Sequence, residues 1–135
     1  MKKKESKTSN QIVANTGLYY ICYRLSKLGW NVMPTSRNAK GVDIVVYNQD
    51  ASIKRTIQVK ALSKKTPVPL GNPDNLFADY VIICVKIFEE KPDVFIAKSH
   101  EISIKYSIRK LDKKKSFWIQ PTDYEKFRDK WNKIK

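Results

Sequence analysis

The sequence predicts a single α/β domain in which helices flank a mixed sheet of about four or five strands. Three features predict it: an amphipathic pattern near the start, two pairs of β-branched runs, and a second amphipathic pattern at the end. A chain of 135 residues with 41% hydrophobic content suits one core. We therefore expect a basic flexible tail over residues 1–10 and one domain over residues 11–135.

The first helix is predicted from about Gln11 to Leu28. Apolar residues, among them Leu18 and Ile21, recur there at helical spacing, and Gly29 follows the stripe as a natural stop. Next, the β-branched runs "GVDIVVYN" and "IKRTIQVKAL" are separated by the polar "QDAS", which is typical of a hairpin. The first helix should therefore pack its apolar face on a sheet that contains this hairpin.

The second half of the chain begins with "PVPLGNPDN", which its prolines, glycine and asparagines predict to be a loop. The runs "YVIICVKIF" and "DVFIA" predict another pair of strands, the first buried on both faces. A short helix is expected near Ser99 to Tyr106. The segment "TDYEKFRDKWNKI" then predicts a helix that docks on the sheet, with a capping box of Thr122 and Glu125 and an apolar stripe. That stripe consists of Tyr124, Phe127, Trp131 and Ile134.

The charge of the chain indicates a polyanionic partner. The formal net charge is +14 and the pI is near 9.8, and nucleic acid is the first candidate for such an excess. Residues 54–65 hold five cations and no acid, and residues 105–135 hold eleven cations and four acids. The alternative is a solvated surface, which for the mixed-sign residues 105–135 is an equally good interpretation.

Several classes of protein are not expected. No apolar run approaches the roughly 20 residues of a membrane span, and "MKKKESKTSN" lacks the apolar segment of a signal peptide, so a cytoplasmic protein without a membrane partner is expected. Cys22 and Cys84 are far apart among apolar neighbours, which favours reduced core thiols over a disulfide or zinc site. His100 is the single histidine, which excludes a His-rich metal site.

The hairpin carries the candidate chemistry. If Asn48 lies opposite Ile53 across a four-residue turn, Asp43 falls opposite Gln58, and Lys60 projects to the same face two residues later. Thr56 lies on the same polar face. A shift of one residue in the strand pairing would mix polar and apolar residues on each face. The apolar members of the hairpin, Ile44, Val46, Ile57 and Val59, then fall on the other face.

This polar group suits a hard divalent cation. The carboxylate of Asp43 and the amide oxygen of Gln58 can hold Mg²⁺, and the ammonium of Lys60 can orient or activate a water. The alternative is an ordinary surface Lys–Asp pair, worth about 0 to 1 kcal/mol. An acid at the head of a core strand favours the cation site, because its burial is costly without a purpose.

These residues resemble the motifs of the PD-(D/E)XK nuclease superfamily, which has the restriction-endonuclease-like fold. The similarity runs from a helix ending in "LSKLGWNV" through "TSRNAKGVDIVV" and "IQVKA" to a buried strand with a crossover helix. Asp43 occupies the position of the first motif acid. In "QVK", Gln58 occupies the acid-or-glutamine position and Lys60 the lysine position. The resemblance implies metal ligation by Asp43, Gln58 and Val59, with Lys60 acting on the water.

The resemblance also implies a Mg²⁺- or Mn²⁺-dependent deoxyribonuclease with DNA as its partner, and it leaves a homodimer open beside a monomer. The expected DNA-contacting residues are polar or basic and lie near the motifs; they are Ser36, Arg37, Lys40, Lys54, Lys64 and Lys65.

One position departs from the family pattern. Many relatives carry a glutamate just after the glycine that is Gly17 here, and this chain has Leu18. Asn15 and Gln11, one and two turns earlier on nearly the same helix face, could supply an oxygen instead. The departure keeps two alternatives open beside the nuclease: a DNA-binding or interaction module that has lost catalysis, and a small basic RNA-binding protein without an active site.

Overall fold

The computed structural model describes residues 9–36 and 40–135. Its helices and strands are α1 (Asn10–Lys27), β1 (Asn31–Pro34), β2 (Ile44–Tyr47), β3 (Lys54–Ala61), β4 (Val68–Leu70), β5 (Tyr80–Val85), β6 (Asp93–Lys98), β7 (Lys105–Ile108), β8 (Lys115–Ile119) and α2 (Pro121–Tyr124). A five-stranded mixed sheet has the order β1-β2-β3-β5-β6, and a second sheet has the order β4-β8-β7. The predicted α/β fold class with a mixed sheet of about five strands is therefore confirmed.

The first helix lies close to its predicted position over about Gln11 to Leu28. Helix α1 begins at Asn10, and the hydroxyl of Ser9 caps it by accepting a hydrogen bond from the backbone N–H of Ile12. The rest of the predicted basic tail lies outside the described residues. Among the residues that are described, no helix is long and apolar enough to cross a membrane.

The β2–β3 hairpin has the predicted register. Ile44 pairs with Ile57 in an antiparallel ladder, and the backbone N–H of Asn48 donates to the carbonyl of Ile53 over 3.1 Å. The same register places Asp43 opposite Gln58. Strand β3 then pairs with β5 in parallel, so β3 lies at the centre of the large sheet with neighbours on both sides.

Two hydrophobic clusters cover the two faces of the large sheet. On one face α1 packs through Ile21 and Leu25 against β2, β3 and β5. On the other face the small sheet and α2 pack through Val68, Ile119 and Tyr124 against β5 and β6. All six residues of β5 are buried, as its continuous apolar run predicts.

The connection from β3 to β5 differs from the prediction. The segment predicted to be a loop contains β4 and a short 3₁₀ helix over Pro73–Asn75, and no crossover helix lies between residues 62 and 79. Strand β4 alternates buried Val68, exposed Pro69 and buried Leu70. Its proline has no N–H to donate, which suits its place at the edge of the small sheet. The short strand was missed because proline-rich segments rarely form strands.

The end of the chain also differs from the prediction. Residues 99–106 form a 3₁₀ turn over Ser99–Glu101 and the start of β7 instead of one helix. The predicted last helix is broken into α2 and two 3₁₀ turns, and no Thr122–Glu125 capping box forms, because Gln120 is the N-cap. Asp129 has a φ of +53° and its backbone N–H donates to the carbonyl of Val94 on β6.

The break lets the apolar stripe of this segment reach both faces of the sheet. Tyr124 and Phe127 belong to the cluster beneath the small sheet, whereas Ile134 belongs to the cluster beneath α1 and Trp131 packs against it. The predicted docking on the sheet is therefore present. The segment crosses the edge of the sheet at β6, where Phe95 and Arg128 form an isolated bridge.

Gly17 sets the distance between α1 and β3. A Cβ atom built at this position would collide with the Cβ of Ala61. We expect Gly17→Ala to lower the free energy of unfolding by about 1–3 kcal/mol, because overpacking exceeds the gain in helix propensity of about 1 kcal/mol. Thermal melts test this, with Gly17→Ala/Ala61→Gly as the compensating pair. If the double variant melts no higher than Gly17→Ala, contact with Ala61 is not the cause.

Candidate active site

A cleft of about 630 Å³ opens between the first turns of α1 and the ends of β1 and β2. The helix contributes Gln11, Asn15 and Leu18, and the sheet side contributes Asp43 and Val59. Asp43 is thus the carboxylate at the wall of the cleft, facing amide side chains from the helix. Of the residues predicted from the sequence, the structure brings together in this cleft Asp43, Val59, Gln11, Asn15 and Ser36.

Backbone hydrogen bonds fix the position of Asp43. Its Oδ2 accepts a hydrogen bond of 2.7 Å from the backbone N–H of Val59. Its own backbone carbonyl accepts one of 2.9 Å from the N–H of Thr35, whose hydroxyl donates to the carbonyl of Val42 over 2.6 Å. Gly41, with a φ of +74°, provides the left-handed turn just before. The carboxylate is therefore held at the head of β2 with Oδ2 bound to β3.

Gln58 is buried beside Asp43 on the adjacent strand. The residue is 7% exposed, and its Oε1 is buried and accepts no hydrogen bond from any residue that the structure describes. Leaving a buried acceptor without a partner costs about 1–3 kcal/mol. Because the hairpin register places Gln58 opposite Asp43, this oxygen is suited to a ligand that the carboxylate also binds.

Lys60 lies two residues beyond Gln58 on β3 and projects to the same face. The pairing with β5 places it beside Ile83, and burial lowers the pKa of its ammonium, with the charge of Asp43 acting in the opposite direction. None of the salt bridges among the described residues involves Lys60. The amine is therefore within electrostatic reach of Asp43, and less of it is protonated at a given pH than in an exposed lysine.

Asp43 links two groups of residues that the sheet separates. Val59 faces α1 and the cleft, whereas Gln58 and Lys60 project to the face that carries Val81 and Ile83, and neither lines the cleft. Asp43 lines the cleft, bonds to the backbone between Gln58 and Lys60, and lies opposite Gln58. The predicted register is thus observed, and the carboxylate stands at the junction of the cleft and the polar pair.

A carboxylate oxygen and a buried amide oxygen without a partner are ligands of the kind that a hard divalent ion prefers. The described residues contain no group of three or more His, Cys, Asp and Glu side chains that could hold a metal. Any ion would therefore rely on the single carboxylate of Asp43, on neutral oxygens and on the substrate. The residues present fit Mg²⁺ or Mn²⁺ in that way.

Comparison with known proteins bears on the fold. No protein-family model and no curated protein matches the sequence. The chain is similar to the solved structure of a bacterial homing endonuclease, I-Ssp6803I, with a TM-score of 0.60 and 14% sequence identity, over 94% of this chain and 93% of that one. The chain has a restriction-endonuclease-like nuclease fold. At this identity a shared fold does not transfer an activity.

The structure also shows residues at the cleft that the sequence did not predict. Asn10, Tyr19 and Thr35 line it, and Tyr19 is 64% exposed on α1. Thr35 follows β1, a four-residue strand that ends in a proline and lacks a strong β pattern. Recognising that β1 pairs with β2 would have placed Thr35 beside Asp43.

The residues predicted to contact DNA divide into two groups. Ser36, Lys40, Lys54 and Lys64 are exposed, and Arg37 lies outside the described residues. Lys65 is held within the protein, because its ammonium bonds to Glu125 over 2.7 Å. Hydrogen bonds from Arg128 and Lys65 lower the pKa of Glu125 to about 2, so this carboxylate stays ionised across the physiological range.

A second cleft, also of about 630 Å³, lies near the start of β5 and carries several cations, among them Arg55 and Lys133. Three of its polar side chains are already paired within the protein. Asp79 accepts hydrogen bonds from the backbone N–H and hydroxyl of Thr56, Lys133 bonds to Glu101, and Arg55 donates to the carbonyl of Lys135. In the part of the chain that the structure describes, no buried side-chain atom without a hydrogen-bond partner belongs to a residue that lines this cleft.

Proposed function

We propose that this chain is a metal-dependent nuclease that hydrolyses DNA phosphodiester bonds at a PD-(D/E)XK-type site formed by Asp43, Gln58 and Lys60. One observation carries the proposal: the buried Oε1 of Gln58 has no described partner and lies opposite a carboxylate in the hairpin register. The nuclease-like fold shared with a homing endonuclease supports it, as does the net charge of +14.

Mg²⁺ or Mn²⁺ would be held by Asp43 and Gln58, with the backbone of Val59 as a further oxygen donor. When bound, such an ion polarises the phosphate and lowers the pKa of water. The hydrogen bond from Val59 fixes one oxygen of Asp43, and so orients the carboxylate before substrate arrives. Lys60, with its lowered pKa, can orient the attacking water and accept its proton.

The DNA substrate would supply the metal ion with oxygen ligands that the protein lacks at this site. A scissile phosphate supplies negative oxygens that the single carboxylate of Asp43 lacks, so binding of metal and DNA should be mutually dependent. Exposed Lys54 and Lys64 on and after β3 can neutralise the flanking backbone. Metal affinity is therefore expected to be higher in the presence of DNA than in its absence.

The experiment that tests the proposal compares supercoiled, linear and branched DNA as substrates for purified protein with Mg²⁺, Mn²⁺ or a chelator. We expect at least one of these DNA substrates to be cleaved, and only when the divalent ion is present. Absence of cleavage on all three DNA forms with either metal would reject the nuclease.

A second candidate function is a DNA-binding module in which catalysis is lost. Leu18 favours it, because this residue stands where many relatives of the resembled family carry an acid. The structure places Leu18 at the cleft, half-buried, rather than wholly in the core. A carboxylate at this position could therefore reach the same space as Asp43.

We expect Leu18→Glu to tighten Mg²⁺ or Mn²⁺ binding about tenfold and to raise the cleavage rate, since affinity follows the number of charged ligands. Loss of apolar burial should lower the free energy of unfolding by about 1–2 kcal/mol. Leu18→Gln is the matched control, because it makes the same change in polarity without the charge. If calorimetric titration finds the same metal affinity for Leu18→Glu and Leu18→Gln, the helix does not contribute to the site.

A further inference from the structure

A two-stranded ribbon projects from the small sheet. Strand β4 pairs with β8 only over Phe117–Ile119, whereas β7 continues to pair with β8 at Ser116 and Lys115, where β4 has ended. All four residues of β7 are exposed, as are residues 109–116. The outer end of this hairpin, residues 105–115, is called the basic hairpin below. Both of its faces and the outer edge of β7 are open to solvent.

The basic hairpin concentrates positive charge. It contains six cations and one acid. The acid, Asp112, is bound by the guanidinium of Arg109 through two hydrogen bonds, and Lys105 lies 3.8 Å from Asp123. The four other cations take part in none of the salt bridges among the described residues; they are Lys110, Lys113, Lys114 and Lys115.

The turn at the tip is ordered by its own hydrogen bonds. The backbone N–H of Arg109 donates to the carbonyl of Lys114, and the N–H of Lys113 donates to the carbonyl of Arg109, both over 2.9 Å. Oδ1 of Asp112 accepts from the backbone N–H of Lys114 over 3.1 Å. Such a turn fixes the backbone that carries the lysines, which reduces the backbone entropy lost when a partner binds.

Apolar side chains accompany the cations. Leu111 at the tip is 93% exposed, and Tyr106 and Ile108 on β7 are 64% and 50% exposed. Lysines that only protect a sheet edge from association would lie along the edge strand. Here most of them lie in the turn, next to an aliphatic side chain. Cations combined with apolar groups match a partner that offers phosphates and base edges together.

We propose that the basic hairpin reads duplex DNA from the major groove. The major groove of B-DNA admits a two-stranded ribbon, and the methyl group of thymine offers an apolar contact there. The free lysines would bind the phosphates on either side, while Leu111 and Tyr106 contact base edges. This inference rests on the proposed function for its choice of DNA.

The geometry distinguishes DNA from RNA. The major groove of an A-form RNA helix is deep and narrow, so a ribbon cannot enter it. Duplex DNA is therefore expected to bind more tightly than duplex RNA of the same sequence. The preference should disappear when the tip is altered, because the remaining basic surface contacts phosphates that both duplexes share.

Fluorescence anisotropy with a mixed-sequence DNA duplex, in a chelator to prevent cleavage, tests the hairpin directly. The tip variant is Lys110→Gln/Lys113→Gln/Lys114→Gln. The matched control, Lys91→Gln/Lys126→Gln/Lys130→Gln, removes the same charge from exposed positions elsewhere. We expect the tip variant to lose at least about tenfold in affinity and its salt slope to flatten by up to about 2.7, since each phosphate contact accounts for about 0.9.

Dimethyl sulfate footprinting then locates the contact, because it methylates guanine N7 in the major groove. Wild-type protein should protect N7 positions, and the tip variant should not, even at concentrations that restore occupancy. Leu111→Ser should weaken binding without changing the salt slope. Equal losses in the tip variant and the matched control, or equal binding of duplex RNA, would overturn the proposal.

The hairpin and the nuclease proposal can fail separately. If wild-type protein binds duplex through the hairpin but never cleaves, the hairpin stands and the nuclease does not. If wild-type protein cleaves DNA but the tip variant binds duplex as tightly as wild type, the nuclease proposal stands and the hairpin proposal does not. Wild-type protein that does not bind duplex DNA even at low salt would overturn both.

Discussion

Replacing Asp43 with asparagine should reduce metal-dependent cleavage by more than about 100-fold. Loss of groups that merely orient a metal ligand typically costs about 10 to 100-fold in metal affinity or activity. Among the described residues, Asp43 supplies the only carboxylate on the wall of the cleft. The fold should survive, because an asparagine oxygen can accept the same hydrogen bond from the backbone N–H of Val59. We expect the free energy of unfolding to change by about 1 kcal/mol or less. Cleavage assays and thermal melts of the same preparation measure both effects.

Asp79→Asn is the matched control for this change. Asp79 also accepts a hydrogen bond from a backbone N–H of β3, that of Thr56, but it does not line the cleft. It should retain wild-type cleavage. Equal loss of activity in the two variants would mean that both act through the structure of β3, and Asp43 would then have no special role.

Replacing Lys60 with methionine should separate binding from chemistry. We expect cleavage to fall by about 10² to 10⁴-fold, the range for loss of a group that moves a proton. Metal affinity should be kept or improved, since a cation beside the site is removed. The variant should also melt at a higher temperature near neutral pH, because burial disfavours the charged form of Lys60 in the wild type. Calorimetric titration measures the metal affinity, thermal melts measure the stability, and single-turnover assays measure the cleavage rate. Lys64→Met, at an exposed position, is the control.

The pH dependence follows from the same lowered pKa. A lysine whose pKa is lowered in the folded state destabilises the fold while it is charged, and this cost disappears as the pH rises from the folded pKa to the unfolded pKa. The stabilisation of Lys60→Met relative to wild type should therefore shrink at alkaline pH. If Lys60 accepts the proton of the attacking water, wild-type cleavage should increase over the same rise in pH, and Lys60→Arg should be inactive because its guanidinium stays protonated. A flat pH profile, or full activity in Lys60→Arg, would show that Lys60 acts only through its charge.

The parts of the fold that the sequence predicted are those with a strong local pattern. The hairpin register followed from alternating residues around a short polar turn, and the structure pairs Ile44 with Ile57 accordingly. The extent of α1 followed from its apolar stripe and from Gly29. These signals are local, so they needed no knowledge of the rest of the chain.

The parts that were missed depend on tertiary contacts. Strand β4 has only three residues, one of them Pro69, and forms by pairing with β8 about 50 positions away in the chain. The last helix was predicted as continuous because its apolar spacing is helical, but its residues divide between two clusters on opposite faces of the sheet. A bond from Asp129 to Val94 then competes with helix continuation.

The sequence predicted which residues form the candidate site, but not where the cleft opens. Motif spacing and strand alternation selected Asp43, Gln58 and Lys60. They could not show that the cleft opens toward α1 while Gln58 and Lys60 project to the other face, since this depends on how β3 is covered on each side. The burial of the Oε1 of Gln58 likewise depends on how β3 is covered on each side.

The most direct test of the central claim is the conversion of supercoiled plasmid to nicked or linear DNA by wild-type protein and Asp43→Asn, purified in parallel and assayed with Mg²⁺ and with a chelator. The proposed site predicts cleavage by the wild type with Mg²⁺ alone, and none by Asp43→Asn under either condition. Cleavage that persists in Asp43→Asn, or that continues in the chelator, would contradict a metal-dependent site built on Asp43.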